Sequence, residues 1–321
     1  PVARPIYSTV QDLLSAAGGP VAIAHRGMGE NLGEDPTRPI ENTIEALRLG
    51  FESGAAVVEA DLQMTADGEI VVWHDDFLED YTCINTLTRD QLAERAPWID
   101  SFQALLQLAR RYNAQNPDRL SGLVTVDLKP ASPLCDPQDV TGPAFVSRVI
   151  EIIEGMGASD LIYFNSMSPV LLAQAAAEAP DIERQLTLLA LQFLSPEQVE
   201  AAVGLPVTLI DKAPEFGLQW GEIGPIYRLP GYTPGPQGIQ QAIATAHAVG
   251  ASMVSWDLLL LGQLGAAAAA DLVAATQATG LHVFSGDVST PEEWYFGAGV
   301  GVEALYADNV PLAVELQGPI D

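Results

Sequence analysis

Residues 56–62, Ala-Val-Val-Glu-Ala-Asp-Leu, read as a strand with two acids set into an apolar run. Successive side chains of a strand point to opposite faces, so Glu59 and Asp61 share a face. Their apolar flanks argue against a solvated strand end. The same signature recurs outward in both directions. The strand Val21–Ala24 ends at His25 and Arg26, and Leu123–Leu128 carries Asp127 near its end, in phase with Lys129 and stopped by Pro130. Between them, residues 42–53 repeat apolar side chains at helical spacing through Ile44, Leu47 and Phe51. Residues 70–74 form a short extension of the second strand through the Asp67-Gly68 turn and end at His74.

Further along, the alternation of short apolar runs and longer amphipathic stretches continues. Helices are expected over 99–112, 142–155, 169–178, 196–203, 240–249, 266–279 and 291–297. Strands are expected over 161–165, 185–190, 207–210, 253–256, 281–285 and 304–307. About eight strand–helix units result, with no linker between them, which predicts an α/β fold: a single (β/α)8 TIM-type barrel domain over residues 1–321. Residues 213–238 shift to Gly, Pro and aromatics and read as a lid or an irregular insertion near the mouth.

The formal charge of −28, from 14 Lys plus Arg against 42 Asp plus Glu, repels nucleic acid and anionic lipid and attracts divalent cations. A halophilic or marine source accounts for that acidity equally well. Only two lysines occur, Lys129 and Lys212, so a lysine closing an apolar strand stands out. No apolar run approaches the ~20 residues of a membrane span, and no stable membrane insertion is expected. Cys83 and Cys135 show no zinc or redox spacing and read first as two unrelated thiols. Joining them as a disulfide is the alternative, since both follow strands that should be neighbours. No basic-then-apolar leader opens the chain at Pro1, and the compartment stays open between cytoplasmic and exported.

In a (β/α) barrel the C-terminal strand ends gather at one mouth. Glu59, Asp61 and Asp127 would converge there beside Arg26, Lys129 and two histidines. Convergent carboxylates repel, and a cation is the natural remedy. All-oxygen ligation suits one hard divalent cation, Mg²⁺ or Ca²⁺. His25 and His74 supply an acid and a base, and Arg26 and Lys129 hold an anionic substrate. Glu41 starts a helix, where a carboxylate is favourable anyway. Trp256 and Phe284, at late strand ends, are expected to line the pocket, with an apolar barrel layer as the competing reading.

The ordered set His25-Arg26-Gly27, Glu41-Asn42-Thr43, Val58-Glu59-Ala60-Asp61, Thr65-Ala66-Asp67-Gly68 and His74-Asp75 resembles the signature of the glycerophosphodiester phosphodiesterase family. The Lys129 strand resembles its Glu-x-Lys element, with Asp127 standing where the family usually has Glu. Residues 281–284 and 306–309 resemble its last two strands. The resemblance implies metal-dependent hydrolysis of small glycerophosphodiesters to glycerol 3-phosphate and an alcohol, by attack of the glycerol 2-hydroxyl and opening of a cyclic intermediate. It implies His25 and His74 as the acid/base pair, Glu59, Asp61 and Asp127 as metal ligands, and Glu41 as support for Arg26 or the metal shell. Two other readings remain. One is a phospholipase D-like lyase of the sphingomyelinase D type, with Trp220, Ile223, Ile226, Tyr227 and Leu229 as a lipid-facing rim. The other is a non-catalytic barrel, which would have lost a histidine or acid from this set; none is lost.

Overall fold

A computed structural model describes residues 9–33, 35–116, 122–130, 135, 136, 138, 140–193, 232, 233, 235–317 and 320. Nine strands form one sheet: β1 Val21–Ala24, β2 Val57–Met64, β3 Ile70–Val72, β4 Leu123–Leu128, β5 Ile162–Ser166, β6 Arg184–Leu188, β7 Met253–Asp257, β8 His282–Val288 and β9 Ala304–Ala307. β1 pairs in parallel with both β2 (Ile23 opposite Val57) and β9 (Ala24 opposite Ala307), so the sheet closes on itself. The antiparallel β3 lies outside this ring, as a hairpin arm on β2. Eight parallel strands therefore make the barrel, the (β/α)8 architecture.

The helices are α1 Val10–Ala16, α2 Ile44–Glu52, α3 Arg89–Arg95, α4 Phe102–Gln115, α5 Gly142–Gly155, α6 Pro169–Glu178, α7 Pro236–Ala248, α8 Leu258–Leu264, α9 Ala266–Gln277, α10 Pro291–Gly299 and α11 Val310–Gln317. α4 begins three residues later than its periodicity suggests, because the Ser101 hydroxyl caps it by accepting the Ala104 N–H. The short α1, α3, α8 and α11 were not expected. Among the described residues, no helix is long and apolar enough to cross a membrane. The expected helix 196–203, the strand 207–210 and residues 213–231 and 234 of the 213–238 insertion lie outside the described residues. β6 pairs directly with β7, and the ring is complete without 207–210.

Strand alternation divides the apolar residues into two cores. Ala22, Ala24, Val58, Ala60, Val124, Val126 and Val254 face the helices. Val21, Ile23, Val57, Leu123, Tyr163, Met253 and Ala304 pack with Val10 and Leu13 of α1, which closes the N-terminal end of the barrel. Two expected pocket residues are corrected by this division. Trp256 is fully buried in the helix-facing core, in phase with Val254, and packs 5.7 Å from the Phe193 ring. Phe284 is buried in the closed lower layer with Met253 and Ala304.

Cys83 and Cys135 are joined in a disulfide with a Cα–Cα distance of 5.4 Å, which corrects the reading of two unrelated thiols. The bond ties the segment after β3 to the β4–α5 connection, and Asn85 Nδ2 donates to the Cys135 carbonyl at 2.7 Å beside it. The bond spans 52 residues, and loop-closure entropy alone gives about 4 kcal/mol. Replacing both cysteines by serine should lower unfolding free energy by ~2–4 kcal/mol in denaturant melts.

His282 and Glu303, at the starts of β8 and β9, pair at 2.8 Å. The hydrogen bond to Glu303 raises His282 above its ordinary 6.5. Burial raises Glu303, but that bond, the Val283 N–H and the Gln277 side-chain amide outweigh it and hold the carboxyl below its ordinary 4.5. The histidine contribution is complete below 6.5 and lost as pH rises through the raised value; the glutamate contribution is present above 4.5 and lost on acidification. His282→Gln should therefore cost more at about pH 5.5 than at about pH 9, by a few tenths of a kcal/mol for a pair this exposed. Thermal melts at the two pH values measure it.

Candidate active site

The mouth is built at the strand ends. β1 delivers His25 and Arg26, and the next residue must bring the chain hard against α2. A Cβ at Gly27 would lie 2.5 Å from the Ala46 carbonyl carbon, and its φ is +89°, so glycine is required there. Arg26 itself adopts φ 47°, a left-handed conformation unusual for a long side chain. Its backbone N–H donates to Glu59 Oε2 at 2.7 Å, and its guanidinium reaches Glu41 at 2.8 Å, Glu30 at 3.2 Å and Asp61 at 3.6 Å.

The Glu41-Asn42-Thr43 run divides into three tasks. Glu41 takes Arg26 on one oxygen and the Asn31 N–H on the other. Asn42, also left-handed at φ 57°, exchanges two hydrogen bonds with Asp61: Nδ2 donates to Oδ2 at 2.8 Å, and the Asp61 N–H donates to Oδ1 at 3.0 Å. The Thr43 hydroxyl caps α2 by accepting the Ala46 N–H. The tie from Asn42 to Asp61 was missed in the sequence, where a helix start gives no hint of a tertiary contact.

Lys129 lies between two of the acids, with Nζ 2.9 Å from Asp61 Oδ1 and 2.8 Å from Asp127 Oδ2. Burial raises Glu59, and the neighbouring Asp61 and Asp127 add to it against the pull of His25, leaving it at about 8. Asp61 is held far below the usual carboxylate range, because Lys129, His74 and Arg26 overcome its burial. Asp127 is raised by burial despite Lys129. Its Oδ1 is buried without a hydrogen-bond partner among the described residues. The predicted cations thus brace the predicted acids.

Each histidine is backed by a carboxylate. His25 Nδ1 is 2.8 Å from Asp308 Oδ1 and 3.6 Å from Asp287 Oδ1. Burial and Arg26 act to lower His25, but Asp287, Asp308 and Glu59 prevail and push it up to about 10. His74 Nδ1 is 2.9 Å from Asp75 Oδ1. Burial, Lys129 and Arg26 push it down to about 4 against the opposing Asp61 and Asp75. Burial and neighbouring charge thus push the two rings in opposite directions, which is how environments set two titratable groups apart.

A model of the glycerophosphoryl diester phosphodiesterase family matches residues 25–202, more than half the chain. The chain belongs to that family. A glycerophosphodiester phosphodiesterase from Caldanaerobacter subterraneus is 35% identical over 81 residues, covering 25% of this chain and 30% of that protein. The uncharacterized protein YqiK of Bacillus subtilis is 27% identical over 168 residues, 50% of this chain and 63% of its own length. The chain thus spans less than two thirds of these curated relatives. Among solved structures, a glycerophosphodiester phosphodiesterase from Parabacteroides distasonis superposes with a TM-score of 0.63 at 16% identity, covering 93% of this chain and 97% of that one. An Oleispira antarctica phosphodiesterase in complex with the product sn-glycerol-3-phosphate superposes with a TM-score of 0.60 at 18% identity, covering 92% and 95%. These likenesses show the same barrel.

Family members generally bind a divalent metal. Two sets of donors in this glycerophosphoryl diester phosphodiesterase family member bear on such an ion. Glu59, Asp61 and Asp127 offer buried oxygens, a surplus of negative charge and the unpartnered Asp127 Oδ1. Among the described residues, only the rim set, His25, Glu30 and Asp287, has its ligand atoms within 4.8 Å of one another; the expected set, Glu59, Asp61 and Asp127, is not drawn that close. Neither Glu30 nor Asp287 carries a motif that would single it out in the sequence.

Lys129→Met separates the sets. Without the ammonium, Asp61 and Asp127 face each other buried, and stability in EDTA should fall by roughly 3 kcal/mol. Excess Mg²⁺ or Ca²⁺ should then raise the melting temperature of the variant more than that of the wild type. Equal shifts in both proteins would place the cation away from Asp61 and Asp127.

Proposed function

We propose that this protein hydrolyses glycerophosphodiesters to glycerol 3-phosphate and an alcohol, with His25 and His74 transferring protons and Glu59, Asp61 and Asp127 holding a divalent cation. The observation that carries this reading is the pairing of each histidine with its own carboxylate through Nδ1, at a mouth where Lys129 joins Asp61 to Asp127. Family membership supports the substrate class, as does the Oleispira antarctica relative that holds sn-glycerol-3-phosphate.

Phosphodiester cleavage needs a proton removed from the attacking hydroxyl and a proton given to the leaving alkoxide. His74, held neutral, accepts the first; His25, held protonated, supplies the second. A bound cation would neutralise charge on the phosphoryl oxygens. Arg26 and Lys129 keep the acids from repelling an anionic substrate, and Glu41 fixes Arg26. Replacement of the usual Glu by Asp127 leaves a shorter arm, which suits Mg²⁺ with its retained waters at least as well as Ca²⁺. The disulfide favours an oxidising compartment.

Glycerophosphocholine, glycerophosphoethanolamine and bis(p-nitrophenyl) phosphate, assayed with EDTA, Mg²⁺ and Ca²⁺, test the reading. EDTA-sensitive turnover of the glycerophosphodiesters is expected. His25→Ala and His74→Ala should each lower kcat by about 10²-fold or more with little change in KM, and the double variant should be scarcely worse. Multiplicative losses would break the pairing, and action only on lipid aggregates would favour the lyase.

A further inference from the structure

We infer that Asp308 is the positioning residue that fixes the His25 imidazole for proton transfer. The inference rests on the reading of His25 as an acid/base group and adds to it a role for Asp308, which belongs to the 306–309 stretch but to neither metal-ligand set. The sheet register creates the contact. β1 and β9 run parallel with Ala24 opposite Ala307, so the next residue of each strand, His25 and Asp308, leaves the barrel beside the other. The His25 N–H donates to the Ala307 carbonyl at 3.2 Å, and the Asp308 N–H donates to the Val288 carbonyl at 3.0 Å. Both backbones are therefore anchored before the side chains meet.

The meeting itself is specific. Asp308 Oδ1 lies 2.8 Å from His25 Nδ1 and also accepts the Glu30 N–H at 3.1 Å, so the carboxylate is clamped between the ring and the loop after it. Gly29 lets that loop close down, since any Cβ there would overlap the Asp308 backbone carbonyl. A carboxylate can only accept, so Nδ1 must carry the proton. Nε2 is then the nitrogen left for substrate, in the orientation the strand pair dictates. Asp287 also approaches, but 3.6 Å is too long for a hydrogen bond, and it contributes charge rather than direction. Glu59, Arg26 and Glu30 are the other charged groups near the ring, and none has a hydrogen bond to it among the described residues.

Asp308→Ala in the metal-loaded full chain should lower kcat by about 10²-fold with KM within about threefold. Asp308→Asn, which keeps an oxygen acceptor in place, should recover at least about tenfold over alanine. Proton-detected ¹⁵N spectra of the wild type should show a strongly deshielded, slowly exchanging His25 Nδ1 proton, absent from the alanine variant. Wild-type spectra without that proton overturn the inference whether or not the variants fold. So does Asp308→Ala with near-normal kcat while His25→Ala is severely impaired, an outcome that leaves the proposed chemistry intact. Asparagine no better than alanine would assign the loss to charge and reject positioning. If His25→Ala is itself harmless, the acid/base reading fails and the inference falls with it.

Discussion

Everything at the mouth depends on how buried carboxylates are neutralised. Glu41, Glu59, Asp61 and Asp127 are all nearly inaccessible, against two partly exposed cations, Arg26 and Lys129. Ionised carboxylates out of water cost several kcal/mol each unless paired. Lys129 answers for β2 and β4 by taking Asp61 and Asp127 together, and Arg26 answers for β1 and α2 by taking Glu41. The three strand ends are thereby tied to one another through charge, and removing any one member exposes the others.

That wiring explains where backbone strain sits. Arg26 and Asn42 are two of only three non-glycine residues with positive φ among the described residues, and the Asn42 N–H donates to the Arg26 carbonyl. Strained conformations persist where surrounding contacts over-determine them. Here Asn42 is held by its reciprocal bonds to Asp61, and Arg26 by Glu59 through its backbone and Glu41 through its side chain. The strain turns the chain out of β1 sharply enough for His25 and Arg26 to serve the same mouth from consecutive positions.

Much of this was legible because strand alternation is a local property. Glu59 with Asp61, and Asp127 with Lys129, follow from period two alone, as does the barrel from repeated strand–helix units. Trp256 shows the rule unapplied: its phase matches Val254, which faces the helices, so period two already set it against the mouth. Phe284 needed more, namely the height of its layer, which only its register with Ala304 and its packing with Met253 supply. Asp287, Glu30 and the role of Asp308 within the 306–309 stretch were opaque for a different reason. Their importance comes from closure of the ring between β1 and β9, a contact across 283 residues of chain with no local trace. The disulfide joins positions 52 residues apart, and spacing could only suggest that the two loops share an end of the barrel.

Inward-facing positions also grade from apolar to charged along the barrel axis. On β4 the sequence on that face is Leu123, Thr125, Asp127 and then Lys129; on β9 it is Ala304, Tyr306 and then Asp308; on β1 it is Val21, Ile23 and then His25. Each two-residue step rises about 6.6 Å. On β4 and β9 a neutral polar residue, Thr125 or Tyr306, therefore stands between the plug and the charged end, whereas on β1 and β2 His25 and Glu59 follow Ile23 and Val57 directly. Gln185 Nε2 donates to Tyr306 OH at 2.8 Å and to Asn165 Oδ1 at 3.2 Å. Burial, with charged neighbours adding to it, keeps the Tyr163 and Tyr306 phenols neutral. A charge set directly on the aliphatic plug would lose all hydration on that side. Neighbouring amides and phenols offer dipoles that can orient toward it, which lowers the cost of desolvating the acids. The barrel thus supports a ring of acids at its open end without sacrificing the apolar closure at its other end, and the same alternation that builds the core assembles the site.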